Sequence, residues 1–182
     1  FRFEAVTLRP RPTTPELSMW VAALAPDAID RAARYGCHLA GAGSAEVIAQ
    51  YEACLRTYDR DPAQYHKGTL RLVHIADTRE QAWFNAREHI HEILSTYNHK
   101  LQEGGVPAPP GGFFSIDPLP SPDQLANAKD LHFYGAPLIV GTPEDAIREL
   151  ERSAQAAPVS HQIMWMQIGG LDPRLTEHSM RL

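Results

Sequence analysis

Short apolar runs alternate with amphipathic stretches along most of the chain. Four runs have the length and apolar content of buried strands, at residues 19–24, 38–43, 70–76 and 163–168. The first run is apolar at consecutive positions, which is typical of a parallel strand covered on both of its faces. The pattern therefore predicts four parallel strands.

Helix signals separate these runs. The predicted helices cover residues 26–35, 45–58, 79–102 and 143–154. Ser44, Thr78 and Thr142 stand where an N-cap belongs, and Gly36 stands where a helix ends. Strands that alternate with helices predict an α/β fold with right-handed crossovers between parallel strands.

A loop-rich insert follows the third predicted helix. Residues 104–131 contain two Gly-Gly pairs and one Pro-Pro pair, which interrupt regular structure. Ser121 and Pro122 mark the start of a short helix inside this insert. A long loop in a compact domain is typical of a functional or mobile element, and we predict that the insert is a lid over the strand ends.

Composition and charge narrow the class of protein. The hydrophobic fraction of 43% and the charged fraction of 21% are those of a soluble globular domain. No apolar run reaches the roughly 18 residues of a membrane-spanning helix, so no membrane partner is expected. The net charge of -5 argues against nucleic acid as the main partner. Cys37 and Cys54 make no disulfide framework, which favours a reducing, cytoplasmic compartment.

The histidines do not form a metal-binding pattern. Nine are present, but His89 and His91 are two apart on a predicted helix and therefore point to different faces. The sequence has no His-Glu-x-x-His or Cys-x-x-Cys arrangement, so we expect no bound metal. It also has no Gly-x-Ser-x-Gly elbow and no Walker loop.

The length and the two ends predict an incomplete domain. A chain of 182 residues fits one ordinary domain or a piece of a larger one. This chain opens on Phe1 rather than Met and closes on Leu182 without a helix stop signal. We therefore expect residues 1–182 to form a single partial domain.

Seven short segments, taken in order, resemble a known family. They lie at residues 9–12, 20–23, 32–36, 76–78, 134–137, 140–147 and 179–182. Together they resemble the C-terminal half of the bacterial luciferase-like, flavin-dependent monooxygenases. The Gly-Thr-Pro-Glu-Asp helix start at residues 141–145, followed by the last predicted strand, contributes most to the resemblance.

The resemblance implies a TIM-type (β/α)₈ barrel, of which this chain would supply strands five to eight. It implies an oxidoreductase that uses reduced FMN and O₂ to oxygenate a small organic substrate, with a flavin reductase as a further partner. One alternative is hydride transfer with the deazaflavin F420. Another is a non-catalytic, flavin-binding half-barrel that pairs as a homodimer. A self-contained α/β domain with an unrelated function is the third.

In such a barrel the cofactor lies at the carboxyl ends of the strands. The residues there that would bind it are small or apolar: Ala22, Ala23, Leu24, Ala25, Gly41 and Gly43. Small side chains admit a flat ring close to the backbone, although helix packing favours them equally. Many relatives place a hydroxyl that contacts the flavin phosphate where this chain has Ala25. Gly41 and Gly43 could cradle the phosphate instead, or form a plain turn.

Three further side chains are candidates for the reaction itself. His74, on the third predicted strand, is the candidate catalytic residue, which would orient substrate or stabilise an oxygen adduct. A hydrogen-bonded core histidine is the alternative. Trp165 and Gln167 share a face of the last strand and would line the substrate pocket, with ordinary core packing as their alternative.

Overall fold

The computed structural model describes residues 4–7, 9–10, 13–14, 17–41, 43–104, 119–128, 131–157 and 159–182. Its strands are β1 (Trp20–Ala22), β2 (His38–Ala40), β3 (Lys67–Ile75), β4 (His132–Phe133), β5 (Ala136–Pro137), β6 (Ile139–Gly141) and β7 (His161–Trp165). Its helices are α1 (Pro26–Arg34), α2 (Ala45–Thr57), α3 (Arg79–Gly104), α4 (Pro122–Leu125), α5 (Pro143–Ala156) and α6 (Pro173–Arg181), with a 3₁₀ turn at Pro62–Gln64.

Strand β3 holds the parallel sheet together. β1 pairs with β2, and β2 pairs with β3 at Lys67 and Gly68. β7 pairs with residues 68–72 of β3, and β6 pairs with residues 73–75. All four ladders are parallel, so the predicted α/β fold with a parallel sheet is confirmed.

The four predicted strands are present with shifted ends. β3 begins at Lys67, before the predicted start, because Lys67 pairs with Leu39 and its carbonyl accepts from the Ser160 amide at 2.9 Å. β7 ends early at Trp165, whose indole Nε1 donates to the Gln167 carbonyl at 2.8 Å where the chain turns. Tertiary hydrogen bonds of this kind are not visible in a hydrophobic pattern.

The predicted helix starts are confirmed by their caps. Thr78 Oγ1 accepts from the Gln81 amide at 3.1 Å. Thr142 Oγ1 accepts from the Asp145 amide, and the Asp145 carboxylate accepts from the Thr142 amide at 3.2 Å. Ser44 caps α2 in the same manner. These contacts satisfy amide groups that have no partner inside the helix.

The sequence analysis missed the β4–β5 hairpin, β6 and α6. Strands of two or three residues are too short to show alternation, and β6 exists because it pairs with the end of β3. The sequence did carry a signal for α6, because Asp172 is a common N-cap residue and Pro173 follows it in the first turn. In the structure the Asp172 side chain accepts from the Arg174 amide at 2.9 Å. Of the predicted insert, residues 105–118 and 129–130 lie outside the described residues, while α4 begins after Ser121 as predicted.

Helices α1, α2 and α5 lie on one face of the sheet. Val21 and Leu39 pack in the core that α1 and α2 form. Lys67 Nζ lies 2.9 Å from the carboxylate of Glu52 on α2. Further along β3, Val73 packs with Ile139 and with apolar residues of α5. These β-strand side chains share a face because residues paired across a parallel ladder point the same way.

The opposite face is covered only over its carboxyl half by described residues. Leu72 and Ala76 pack against Ala82, Ala86 and Ile90 on the inner side of α3. Over the amino half of this face, Trp20 is 37% exposed and Ile163 is 41% exposed. α3 thus lies across from α1, α2 and α5, with β3 between them.

The β4–β5 hairpin rests on the end of β2. Its turn places Tyr134 and Gly135 at positive φ, 52° and 73°, which is the backbone of a tight two-residue hairpin turn. A Cβ at Gly43 would overlap the Tyr134 carbonyl oxygen and stand 2.9 Å from Gly135 Cα. Only glycine therefore fits at position 43.

We expect Gly43→Ala to lower the free energy of unfolding by about 1–3 kcal/mol, because the added methyl meets backbone that cannot step aside. Urea unfolding followed by circular dichroism measures this. Gly169→Ala is the matched control, since a Cβ there meets no atom of the described residues within 4 Å. Equal unfolding midpoints for the two variants would show that the hairpin does not pack as described.

Candidate functional site

The strand ends that were predicted to bind a cofactor separate into exposed and buried positions. Ala22 is exposed, and so is Ala25, which is the N-cap residue of α1 and makes no side-chain hydrogen bond there. Ala23 and Leu24 are buried in the core with residues of α1 and α2. Ala23 and Leu24 therefore offer a bound molecule their backbone and not their side chains.

Gly41 and Gly43 differ in their surroundings. Gly41 has a φ of +79°, and no atom of the described residues lies within 4 Å of the place where its Cβ would stand. Gly43 donates to the Gly41 carbonyl at 2.8 Å and is packed under the hairpin turn. Gly41 is buried, and its positive φ favours glycine, whereas Gly43 is required by packing.

A cavity of about 280 Å³ opens beside this segment, at the start of α2. Gly43 and Ser44 form part of its wall, and Arg71 and Arg152 form another part. Arg71 is 3% exposed; its Nε donates to the Gln162 side chain at 3.0 Å, and its Nη1 lies 3.5 Å from a Glu149 carboxylate oxygen. Arg152 donates to the same carboxylate. Two guanidinium groups, both in contact with the Glu149 carboxylate, therefore stand in the wall of this cavity.

His74 is buried, at 1% exposure, on the sheet face that α3 covers. Its Nε2 is 3.4 Å from Asn85 Nδ2 on α3, and its Nδ1 has no hydrogen-bond partner in the part of the chain that the structure describes. α6 closes the neighbouring space, because Ser179 Oγ accepts from the Ile75 amide at 2.7 Å. Burial lowers the pKa of His74, and the nearby His178 lowers it further. Both effects favour the neutral form of the His74 imidazole.

Trp165 and Gln167 stabilise the end of β7. The Trp165 ring packs edge-to-face on Phe133, with 5.5 Å between ring centroids, against the core around α3. The Gln167 side-chain Nε2 donates to the carbonyls of Ile168 and Leu171, both at 3.4 Å. Both side chains support the turn into α6, and Gln167 is also exposed to solvent.

Sequence reasoning missed a cluster at the amino ends of the strands. Trp20, His38, His66 and His161 stand in contact there, with His66 centred 4.8 Å from His38 and 4.9 Å from His161. The Trp20 ring stacks on His66 at 6.0 Å. Burial lowers the pKa of His38, and its two neighbouring histidines lower it further. The available signal was that His38 and His161 each open a strand.

A metal site and a membrane-spanning helix were searched for in the described part of the chain. Among those residues, no three or more His, Cys, Asp or Glu side chains are grouped so that they could hold a metal ion. None of the helices within the same residues is long and apolar enough to cross a bilayer.

The sequence matches the family model described as luciferase-like monooxygenase over residues 1–161. No curated protein sequence matches it. Among solved structures, the monooxygenase RslO1 from Streptomyces bottropensis is similar to the whole chain, with a TM-score of 0.68 and 15% identity over 51% of its own length. Apo-MsnO8 is similar to 98% of the chain, with a TM-score of 0.58 and 19% identity over 52% of its length.

An F420-dependent secondary alcohol dehydrogenase, solved with an F420-acetone adduct, is also similar to 90% of the chain. Its TM-score is 0.55 and its identity is 20%, over 47% of its own length. The chain thus spans about half the length of these relatives. At such identities the likeness shows a shared fold.

We expect the free energy of unfolding to fall as the pH drops below about 6.5. The unfolded histidines take up protons there, whereas His38 and His74 have lowered pKa values in the folded protein. The unfolded state then binds more protons, and the loss continues until the pH passes the folded pKa values. Urea midpoints between pH 8 and pH 5 measure this. His74→Gln should flatten the profile and exposed His99→Gln should not; identical profiles for both would contradict the assignment.

Proposed function

The chain belongs to the luciferase-like monooxygenase family, and we propose that it supplies the C-terminal half of a flavin-dependent (β/α)₈ barrel oxidoreductase. The order β1–β2–β3, with β7 on β3, is that of four successive parallel strands. These would be strands five to eight of the barrel. The match to the family model over residues 1–161 carries this proposal, and the half-length coverage of the relatives supports it.

The exposed residues fit a flat ring with a phosphate arm. Ala22 and Ala40 pair across β1 and β2, so their methyl groups form a shallow surface on the face opposite α1 and α2. Gly41 follows Ala40 along the chain and is itself buried, and no atom of the described residues lies within 4 Å of where its Cβ would stand. The cavity at the start of α2 would hold the phosphate, with Arg71 and Arg152 supplying positive charge. Since Ala25 lacks a hydroxyl, these arginines take over the role that a hydroxyl has in many relatives.

A bound reduced flavin would supply the oxygen chemistry, and the chain's own groups would position and shield it. A neutral His74 would hold a proton on one ring nitrogen and offer an acceptor on the other, and its Nδ1 lacks a partner among the described residues. Trp165 and the core around α3 keep water away from the carboxyl end of β3. Small organic substrate and O₂ would enter over the insert at residues 104–131, which we propose as the lid.

Each of two alternative functions is supported by a specific observation. Hydride transfer with F420 is supported by the likeness to the F420-dependent secondary alcohol dehydrogenase. A non-catalytic flavin-binding half-barrel that pairs as a homodimer is supported by the exposed Trp20, Ala22 and Ile163 on one sheet face. A flavin reductase would be the source of reduced FMN in the monooxygenase form.

We expect the natural polypeptide that contains this chain to consume O₂ when it is mixed with reduced FMN and small organic substrates. An oxygen electrode measures the uptake, and free reduced FMN is the control for uncatalysed oxidation. Uptake no faster than the control, together with oxidation of an alcohol by F420 or reduction of a ketone by reduced F420, would replace the monooxygenase with the dehydrogenase. Flavin binding without either reaction would favour the half-barrel.

We also expect His74→Ala to lower turnover more than it lowers the thermal midpoint. A group that only fills the core would affect both through packing, whereas a group near the reacting atoms affects the rate at constant folding. Asn85→Ala is the matched control, because it removes the partner of His74 and leaves the imidazole in place. Unchanged turnover in folded His74→Ala would assign His74 to the core.

A further inference from the structure

Three imidazoles from different strands meet at the amino end of the sheet, and we call them the histidine cluster. His38 opens β2, His66 precedes β3 and His161 opens β7. Trp20, which pairs with His38 across β1 and β2, contacts all three rings at centroid distances of 5.0 to 6.0 Å. None of these four residues belongs to the proposed cofactor site.

One side chain of the histidine cluster joins β2 to the start of β3. The His66 amide donates to His38 Nδ1 at 3.1 Å, and the Leu39 amide donates to the His66 carbonyl at 3.1 Å. Because His38 Nδ1 is an acceptor, it carries no proton, and the neutral ring holds its proton on Nε2. The ladder beyond this point is short, since it pairs only Leu39 and Ala40 of β2 with β3. The His38 hydrogen bond therefore strengthens a short junction.

Uptake of a proton by His38 removes this acceptor. An imidazolium has a proton on both ring nitrogens, so a charged His38 would point its Nδ1–H at the His66 amide N–H across 3.1 Å. Two donors cannot form a hydrogen bond with each other, and one of them has to move away. The His38 ring also contacts Tyr65, with 6.0 Å between centroids. Its movement would therefore disturb the packing around the junction as well as the hydrogen bond.

The other members of the cluster face His38 and oppose a charge on it. Burial lowers the pKa of His38, and His66 and His161 lower it further. Both of these neighbours are exposed to solvent, so protons reach the cluster directly. When the junction opens, His38 leaves these surroundings and its pKa returns towards the ordinary histidine value of about 6.5. Opening is therefore coupled to proton uptake.

The charged groups on the adjoining elements supply no negative partner for a protonated His38. Arg60, which follows α2, donates to the Tyr65 hydroxyl at 2.9 Å. Lys67, the first residue of β3, lies 2.9 Å from the Glu52 carboxylate on the face of the sheet that α2 covers. The first group is positive, and the second two balance each other.

The cores on the two sides of the junction are separate. β2 packs in one core with α1 and α2. β3 packs in another core with α3, and its end packs in a third with α5. The junction can therefore loosen while these cores stay packed, which is the usual character of a local opening.

We propose that the histidine cluster is a pH-sensitive switch at the junction of β2 and β3. At neutral pH, His38 accepts from the His66 amide and the junction is closed. A proton on His38 breaks this hydrogen bond, and the amino end of the sheet opens between β2 and β3. The switch is built from residues that the proposed function does not use, and it operates whether or not flavin binds.

Amide hydrogen exchange of the ¹⁵N-labelled 182-residue protein, measured by NMR from pH 8 to pH 5 and corrected for intrinsic exchange rates, tests the switch. We expect protection of the buried Leu39 amide to fall below a pH of about 6.5, by at most tenfold per pH unit because one proton is taken up. The amide of Leu150, in the middle of α5, is the reference and should lose less. Unchanged protection at Leu39, or equal losses at Leu39 and Leu150 as global unfolding would produce, would overturn the proposal.

Two substitutions of His38 separate its role as an acceptor from its titration. His38→Asn places an amide oxygen near the position of Nδ1 and has no proton to gain, so the difference in protection between Leu39 and Leu150 should stay constant from pH 8 to pH 5. His38→Leu has no acceptor and should lower Leu39 protection already at pH 8. The exposed His99→Asn is the matched control and should keep the wild-type profile.

The variants decide against the switch in a defined way. A His38→Asn protein whose Leu39 protection still falls relative to Leu150 below pH 6.5 would overturn the proposal, because the titrating group would then lie elsewhere. Should neither His38 variant fold, the comparison of Leu39 with Leu150 in the unmodified protein still decides the matter.

Discussion

Strand β3 has to satisfy its backbone along both edges and its side chains on both faces, and the other elements of the sheet are arranged around that requirement. β2, β6 and β7 each pair with a different part of it. Its polar side chains are buried with its apolar ones, so Arg71 depends on Glu149 and Gln162 for its partners. The place of Arg71 in the wall of the cavity near α2 follows from this arrangement, because its partners hold the guanidinium where that cavity opens.

The parts of the fold that the sequence predicted are those whose signals are local. β3 is long enough to show its apolar pattern, and Thr78 and Thr142 act through amides three residues away. The hairpin of β4 and β5 and the strand β6 could not be predicted in the same way. Two or three residues become a strand only when a partner strand is present, and that partner is distant in the sequence.

The candidate site was predictable to the level of the strand ends and not beyond. Alternation along a strand indicates that neighbours differ in direction, yet Ala23 and Leu24 lie just past β1, where the chain turns into the core. That His74 Nδ1 lacks a partner among the described residues could not be foreseen at all. Whether a buried atom has a hydrogen-bond partner depends on all the residues that fold around it, and these cannot be read from the sequence.

The two outer strands of the sheet, β1 and β7, each have one backbone edge that no described strand covers. Among the described residues, β1 pairs only with β2 and β7 pairs only with β3, so each has a row of amides and carbonyls without strand partners. Water can solvate such rows, but another extended segment satisfies them better. Sheet closure, whether by further strands of the same polypeptide or by a second molecule, would therefore act as the chain's protection against indiscriminate edge-to-edge aggregation.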